Sequence, residues 1–199
     1  QPGINKLLAN WTPGNNGGSP ITEYNVQISA ISGASGFAAA TGSPLSTENL
    51  IIAACLAKGT TILKNCAIEP EIKDLTNFLK LGGAKIKWIG KRTVKIDGVR
   101  SLNQTSYTVM NDRIEAGTFC VATCLTKGNL VIKNFDSKLI QTELNLLKKI
   151  GAKIKTKNNE IHIKGPSKIR SLKNIITREY PNFPTDLQAQ FMVLLCKSD

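Results

Sequence analysis

Leu56-Ala57-Lys58-Gly59-Thr60-Thr61-Ile62-Leu63-Lys64-Asn65 returns further along the chain as Leu125-Thr126-Lys127-Gly128-Asn129-Leu130-Val131-Ile132-Lys133-Asn134. Beyond each copy runs a stretch of helical spacing, through Ile72, Leu75, Phe78 and Leu79 in the first and Leu139, Leu144 and Leu147 in the second. Both stretches end in Gly-Ala-Lys-Ile-Lys, at 83–87 and at 151–155, and after them Val94/Ile96 and Ile161/Ile163 alternate as strand residues do. Self-similarity of this kind marks a supersecondary block used more than once. Each copy predicts helix, strand, helix, strand, strand. Gly59 and Gly128 would stop the first helix, and Gly83 and Gly151 would turn the second helix into a strand. The fold class is therefore α/β, more narrowly α+β. Because short strands cannot cover a whole helix face, blocks are expected to pack on sister blocks, and an unpartnered block to expose apolar surface and self-associate. A third block opens at Phe183, with a helix over 186–196.

Residues 1–42 are of another kind: rich in Gly, Ser, Asn, Pro and Ala, and almost free of charge. Trp11-Thr12-Pro13, the loop Asn15-Asn16-Gly17-Gly18-Ser19-Pro20 and the alternation Tyr24, Val26, Ile28 weakly resemble the first strands of a fibronectin type III repeat. Half such a repeat cannot close a sandwich, so a disordered or loosely docked leader is the competing reading.

The formal charge of +12 raises nucleic acid as a partner. Yet the basic residues are nearly all lysine, they are scattered over every segment, and no aromatics interleave with them to make a stacking platform. We read them as a solvated surface whose field favours an anionic small substrate, with no nucleic-acid partner. No apolar run is long enough to span a bilayer, and no secretory signal opens the residues in hand, so no membrane partner and a cytoplasmic location are expected. Five cysteines without a CxxC pair, most of them in apolar helical stretches, read as reduced buried thiols. Cys120 and Cys124 share a helix face, but no second pair or histidine completes a metal site, and no metal or cofactor is expected. His162 alternates with Ile161 and Ile163 and should face solvent. Neither GxGxxG nor GxxxxGK occurs.

Three acidic constellations remain. Phe183-Pro184-Thr185-Asp186-Leu187-Gln188-Ala189-Gln190-Phe191 opens a helix, so Thr185 or Asp186 serves as a cap, or else Asp186 is a general base aimed from a helix mouth. Glu69-Pro70-Glu71 and Asp112-Arg113-Ile114-Glu115 also open helices, where capping is the plain alternative to a functional role. Arg113 is one of few arginines and suits either a structural ion pair or a substrate contact. Ser43-Pro44 stands just ahead of a helix near Thr47, where a hydroxyl and free amides make a phosphate cradle.

Taken together and in order, Thr47-Glu48-Asn49, Leu56-Ala57-Lys58-Gly59-Thr60-Thr61, Glu69-Pro70-Glu71-Ile72, Gly83-Ala84-Lys85-Ile86, Asp112-Arg113-Ile114-Glu115-Ala116-Gly117-Thr118 and the run from Phe183 to Phe191 resemble the UDP-N-acetylglucosamine 1-carboxyvinyltransferases of the enolpyruvyl transferase family. The resemblance covers about residues 43–199, and its last two motifs separate these enzymes from the related shikimate-pathway transferase. It implies an inside-out α/β barrel of repeated units, here incomplete. Residues 43–110 would be the last unit of one domain, and 111–199 the first unit and the start of the next in the second, with the crossing near Asn111.

The implied activity is transfer of the enolpyruvyl group from phosphoenolpyruvate to the 3-hydroxyl of UDP-N-acetylglucosamine, which opens peptidoglycan precursor synthesis. Asp186 would be the base and Thr185 would lie beside the nucleotide. Ser43 would approach the diphosphate, and Arg113, Glu69 and Glu71 would form a polar cluster near the cleft floor. The family's early Lys-Asn pair, its loop cysteine and its phosphoenolpyruvate-holding arginines have no counterpart here. These residues are thus expected to be an internal piece that is inactive alone, or, as the alternative, a non-catalytic nucleotide-sugar-binding or interaction module.

Overall fold

A computed structural model describes residues 47–198 and, ahead of them, three short strands: β1 (Lys6–Leu8), β2 (Gln27–Ser29) and β3 (Ala39–Thr41). Ser43 and the sequence signals of the leader's first loop lie outside the described residues. The chain divides into two units, Gln1–Val109 and Met110–Asp199.

In the first unit α1 (Thr47–Leu56) leads into β4 (Thr60–Lys64), α2 (Pro70–Leu81), β5 (Lys85–Gly90) and β6 (Thr93–Asp97). β6 lies between β4 and β5 and is antiparallel to both, while β3 runs parallel to the outer edge of β4, giving the order β3-β4-β6-β5. The second unit repeats the scheme. α3 (Arg113–Leu125) is followed by β7 (Asn129–Ile132), a 3-10 turn at Ser137–Ile140, α4 (Gln141–Lys149), β8 (Lys153–Lys157) and β9 (Glu160–Lys164), in sheet order β7-β9-β8. The predicted block of helix, strand, helix, strand, strand is present twice.

Alternation sorts each sheet into two faces. Leu63, Ile86, Val94 and Ile96 of the first sheet, and Ile161 and Ile163 of the second, are buried under the helices. The other faces carry Lys85 and Lys87, and Lys153, Lys155, Lys164 and the exposed His162, as the period-two pattern requires. Ile51, Ala54, Cys55, Ile72 and Leu79 complete one core, and Cys120, Val121, Cys124, Leu144 and Leu147 most of the other. In the first unit the helix faces close on the block's own sheet, whereas in the second the helix face of α3 is also covered by Leu187, Phe191 and Leu194 from the start of the third block, as expected of neighbouring blocks. What remains uncovered is a minor set that includes Ile52, Leu56, Phe119, Met192 and Val193. Phe78, expected on the apolar face, is 41% exposed and leans on the Tyr107 ring instead.

The two blocks share the turn that ends their second helix. Gly83 (φ 100°) and Gly151 (φ 111°) end α2 and α4 in the left-handed region, so that Ala84 N–H donates to Leu79 O and Ala152 N–H to Leu147 O, each at 3.0 Å. The helix stops differ by one residue. Gly59 takes φ 96°, but in the second copy the left-handed residue is Lys127 (φ 54°) rather than Gly128, because Gly128 N–H closes the helix on Thr123 O at 3.0 Å. After β9, a 3-10 turn Thr185–Leu187 precedes α5 (Gln188–Leu195), so the helix expected from 186 becomes α-helical only two residues later.

Candidate functional site

The entrance to α5 is fastened from below by apolar contacts. Phe183 packs edge-on against Phe191, ring centroids 4.8 Å apart, and Leu187 is fully buried. Leu187 sits where α3 has Gly117, so close that a Cβ there would come 2.6 Å from Leu187 Cδ1. Gln190 Nε2 donates to Thr118 Oγ1 at 3.0 Å, and Arg178 N–H to Phe183 O at 2.9 Å. With Phe183, Leu187, Gln190 and Phe191 so held, Thr185 and Asp186 are left exposed at the surface.

The capping reading fails for both. Neither the 3-10 turn nor α5 has a side-chain cap, and the contact Asp186 makes is a long one, accepting from Thr185 Oγ1 at 3.5 Å. The cause is the inserted 3-10 turn, which sets the two residues ahead of the first α-helical amides. The Asp186 carboxylate is therefore not spent on the helix. Asp112 is the contrast: its Oδ1 accepts from Ile114 N–H at 2.7 Å and Glu115 N–H at 3.0 Å, a true cap. Glu69 precedes α2 with Pro70 at the first helical position, and gives no cap hydrogen bond; its Oε2 is buried with no hydrogen-bond partner among the described residues. Capping thus accounts for Asp112 and not for Glu69 or Asp186.

Arg113 is buried, its guanidinium 5.6 Å from the Tyr180 ring centroid, a cation–π distance. Glu143 of α4 is buried too; burial pushes its carboxyl up from the usual range, and the charge of Arg113 works against that rise. Nearby, Thr142 Oγ1 donates to Pro181 O at 2.8 Å. Thr185 and Asp186 therefore sit together at one helix entrance, Arg113 lies beneath the loop leading to it, and Glu69 and Glu71 share the start of α2 in the first unit. Spacing did not single out Glu143 or Tyr180, because a lone acid in a leucine-rich helix and an aromatic in a loop carry no motif.

Cys55, Cys66, Cys120 and Cys124 are buried thiols, as expected, whereas Cys196 is exposed at the end of α5. Burial drives Cys120 up to about 12 and Cys124 to about 11, so both stay protonated near neutrality. His162 faces solvent and shares a 2.9 Å contact with Glu160 Oε2. No helix among the described residues is long and apolar enough to cross a membrane, and among them no three His, Cys, Asp or Glu side chains gather as a metal site.

The EPSP synthase (3-phosphoshikimate 1-carboxyvinyltransferase) family matches residues 16–197. The chain belongs to that family. The match reaches back into the leader, beyond the point where the motif resemblance began. Within the EPSP synthase family, the chain is 63% identical over 153 residues to the UDP-N-acetylglucosamine 1-carboxyvinyltransferase of Pelagibacter ubique, covering 77% of this chain and 36% of the relative. It is 48% identical to the enzyme of that name from Geotalea daltonii, over the same shares. The chain therefore spans little over a third of the length of these relatives.

Among solved structures it is similar to the enolpyruvyl transferase NikO from Streptomyces tendae, at 23% identity and TM-score 0.62, covering 73% of this chain and 35% of that one. It is also similar to EPSP synthase from Acinetobacter baumannii, at 18% identity and TM-score 0.51, covering 74% and 34%. These likenesses give the fold: repeated enolpyruvyl transferase units, with open sheets and no closed barrel among the described residues.

Proposed function

We propose that this chain carries the nucleotide-sugar side of an enolpyruvyl transferase that moves the enolpyruvyl group of phosphoenolpyruvate onto the 3-hydroxyl of UDP-N-acetylglucosamine. The observation that supports it most is the 63% identity to an enzyme of that name over 153 residues, well above the identity to the EPSP synthase structures. In this reading residues 43–110 belong to one domain and 111–199 to the next. The reaction opens peptidoglycan precursor synthesis in the cytoplasm.

Asp186 acts as the base. Exposed and uncommitted to any helix amide, it takes the proton of the sugar hydroxyl as that oxygen bonds to the central carbon of phosphoenolpyruvate. The methylene carbon gains a proton in the same addition from an acid in the remainder of the family's length; a proton of the resulting methyl group and phosphate then leave to restore the double bond. Thr185 contacts the nucleotide and Ser43 the diphosphate, while Arg113, Glu69 and Glu71 order the cleft floor. The cations that neutralise phosphoenolpyruvate have no counterpart in this chain, so addition requires groups from the remainder of the family's length.

Calorimetry on the 199-residue chain tests the reading. UDP-N-acetylglucosamine should bind and 3-phosphoshikimate should not; the opposite order would reject it. Phosphate release in the presence of both substrates should stay at background. Turnover abolished by Asp186→Asn would keep the base but reject the divided site.

A further inference from the structure

The outward faces of the two sheets carry lysines at the same places but balance them differently. In the first, Lys85 of β5 is registered opposite Asp97 of β6, and Lys87 opposite Lys95. Asp97 answers this cluster: its carboxylate lies 3.3 Å from Lys95 Nζ and accepts from the Thr60 hydroxyl. In the second sheet Lys153 and Lys155 take the places of Lys85 and Lys87, His162 that of Lys95, and Lys164 that of Asp97. Lys153 is therefore directly opposite Lys164, and Lys155 directly opposite His162. With Asn129 and Val131 of β7 beyond them, neither cross-strand row contains an acid. Like charges in such register repel. The carboxylate on this face, Glu160, stands in the next row opposite Lys157 and shares its 2.9 Å contact with His162. Lys153, Lys155, His162 and Lys164 are all exposed, and with Asn129 and Val131 they line an open groove of about 370 Å³ on the face opposite the buried Ile161 and Ile163.

We propose that this groove is an oligophosphate site, taking a small anion with two or more linked phosphates. Neighbouring strands lie about 5 Å apart, and residues two apart along a strand about 7 Å apart, so the four side chains form a compact two-by-two array. A single phosphate engages one row, Lys153 with Lys164. A chain of linked phosphates runs on to Lys155 and His162 and receives charge-assisted hydrogen bonds from both rows. Its charge also removes the repulsion between the registered lysines, which the free chain carries in the absence of an anion. The array offers no arginine fork, the donor that planar carboxylates engage in pairs, whereas lysine serves phosphate as a point charge; this favours phosphate over an acidic peptide. Two rows are also too short a track for a nucleic-acid backbone. The groove shares no residue with the Asp186 entrance, so this inference and the transferase reading stand or fall separately.

The test follows the backbone amide shifts of the 199-residue chain by NMR as tripolyphosphate is added at about 0.1 M salt. Shifts at 153–155 and 162–164 should saturate, and inorganic phosphate, which spans one row, should bind at least about tenfold more weakly. Lys164→Asp, an exposed position, gives this face the acid that the first sheet has and should weaken tripolyphosphate at least about tenfold. Lys138→Asp makes the same change in net charge at an exposed position on the turn before α4, and should weaken it less than about twofold. Adenosine triphosphate separates the two sources of such a ligand. Affinity equal to that of tripolyphosphate assigns the site to the phosphate chain itself, and tighter binding with shifts spreading to Val131 assigns it to the tail of a nucleotide; both uphold the proposal. No saturable shift on β8 and β9 with either probe overturns it. Equal weakening by Lys138→Asp and Lys164→Asp overturns it as well, since the general field of a basic chain would then account for the binding.

Discussion

The first and second blocks are built on one plan and differ in what lies on their outer strand. The edge of β4 is paired through β3, while the corresponding edge of β7 has no strand beside it among the described residues. Turn geometry, in contrast, is held constant: Asn65 and Asn134 adopt φ 56° and 55°, and Gly98 and Gly165 donate to Gly59 O and Gly128 O at 2.8 and 2.9 Å. The backbone closures define the block, and the periphery is where copies diverge. Closures admit no variation because a buried amide without its carbonyl is costly, whereas an edge is satisfied by water or by any strand that arrives.

The sharpest way to break this comparison is at the paired glycines. A Cβ on Gly98 would fall 1.6 Å from Ala57 O, and one on Gly165 2.4 Å from Thr123 O, both backbone atoms that cannot swing away. Gly98→Ala should cost about 4 kcal/mol and Gly165→Ala about 3 kcal/mol, near the top of the range for single substitutions. Urea midpoints measured for each unit's own signals check this, and equal small losses would mean the closures are not what holds the blocks.

Gly117→Ala meets only the end of the Leu187 side chain, so about 2 kcal/mol is expected. The loss should be confined to the second unit, with faster exchange of α5 amides. Asp112→Ala removes a real cap and should cost about 1 kcal/mol, while Glu69→Ala removes none and should cost less. A larger loss at Glu69 would reveal a role for its buried oxygen that capping does not explain.

Alkali tests the buried thiols. Cys120 and Cys124 are held at about 12 and about 11 in the folded chain against an ordinary value of 9.0. Raised thiols contribute stability that is complete below pH 9 and is lost as pH climbs through 9 toward 11 and 12. In native protein at pH 8, a thiol reagent should modify Cys196 quickly and the four buried thiols only on unfolding; fast reaction at Cys120 would contradict its burial.

Much of the fold was legible because it is written twice. The repeated Lys-Gly and Gly-Ala-Lys-Ile-Lys runs mark equivalent turns in both copies, and alternation puts His162 outside and Ile161 and Ile163 inside. The helix stop at Gly128 was off by one, since which residue turns left-handed depends on how far the last hydrogen bonds of α3 run. The site was less legible. A short acidic residue at a helix entrance reads the same whether it caps or not, and Asp112 and Asp186 part company only through the local 3-10 turn.

By itself, the sequence determined the family, the block and the inward and outward faces of each strand, because periodicity and glycine placement are local and each copy checks the other. Tertiary structure alone decided that Asp186 is free of its helix, that Arg113 lies buried against Tyr180 near Glu143, and that among the described residues one of the two equivalent strand edges has no partner strand. Those facts depend on which side chains meet across elements distant along the chain, and contact of that kind leaves no period in the sequence.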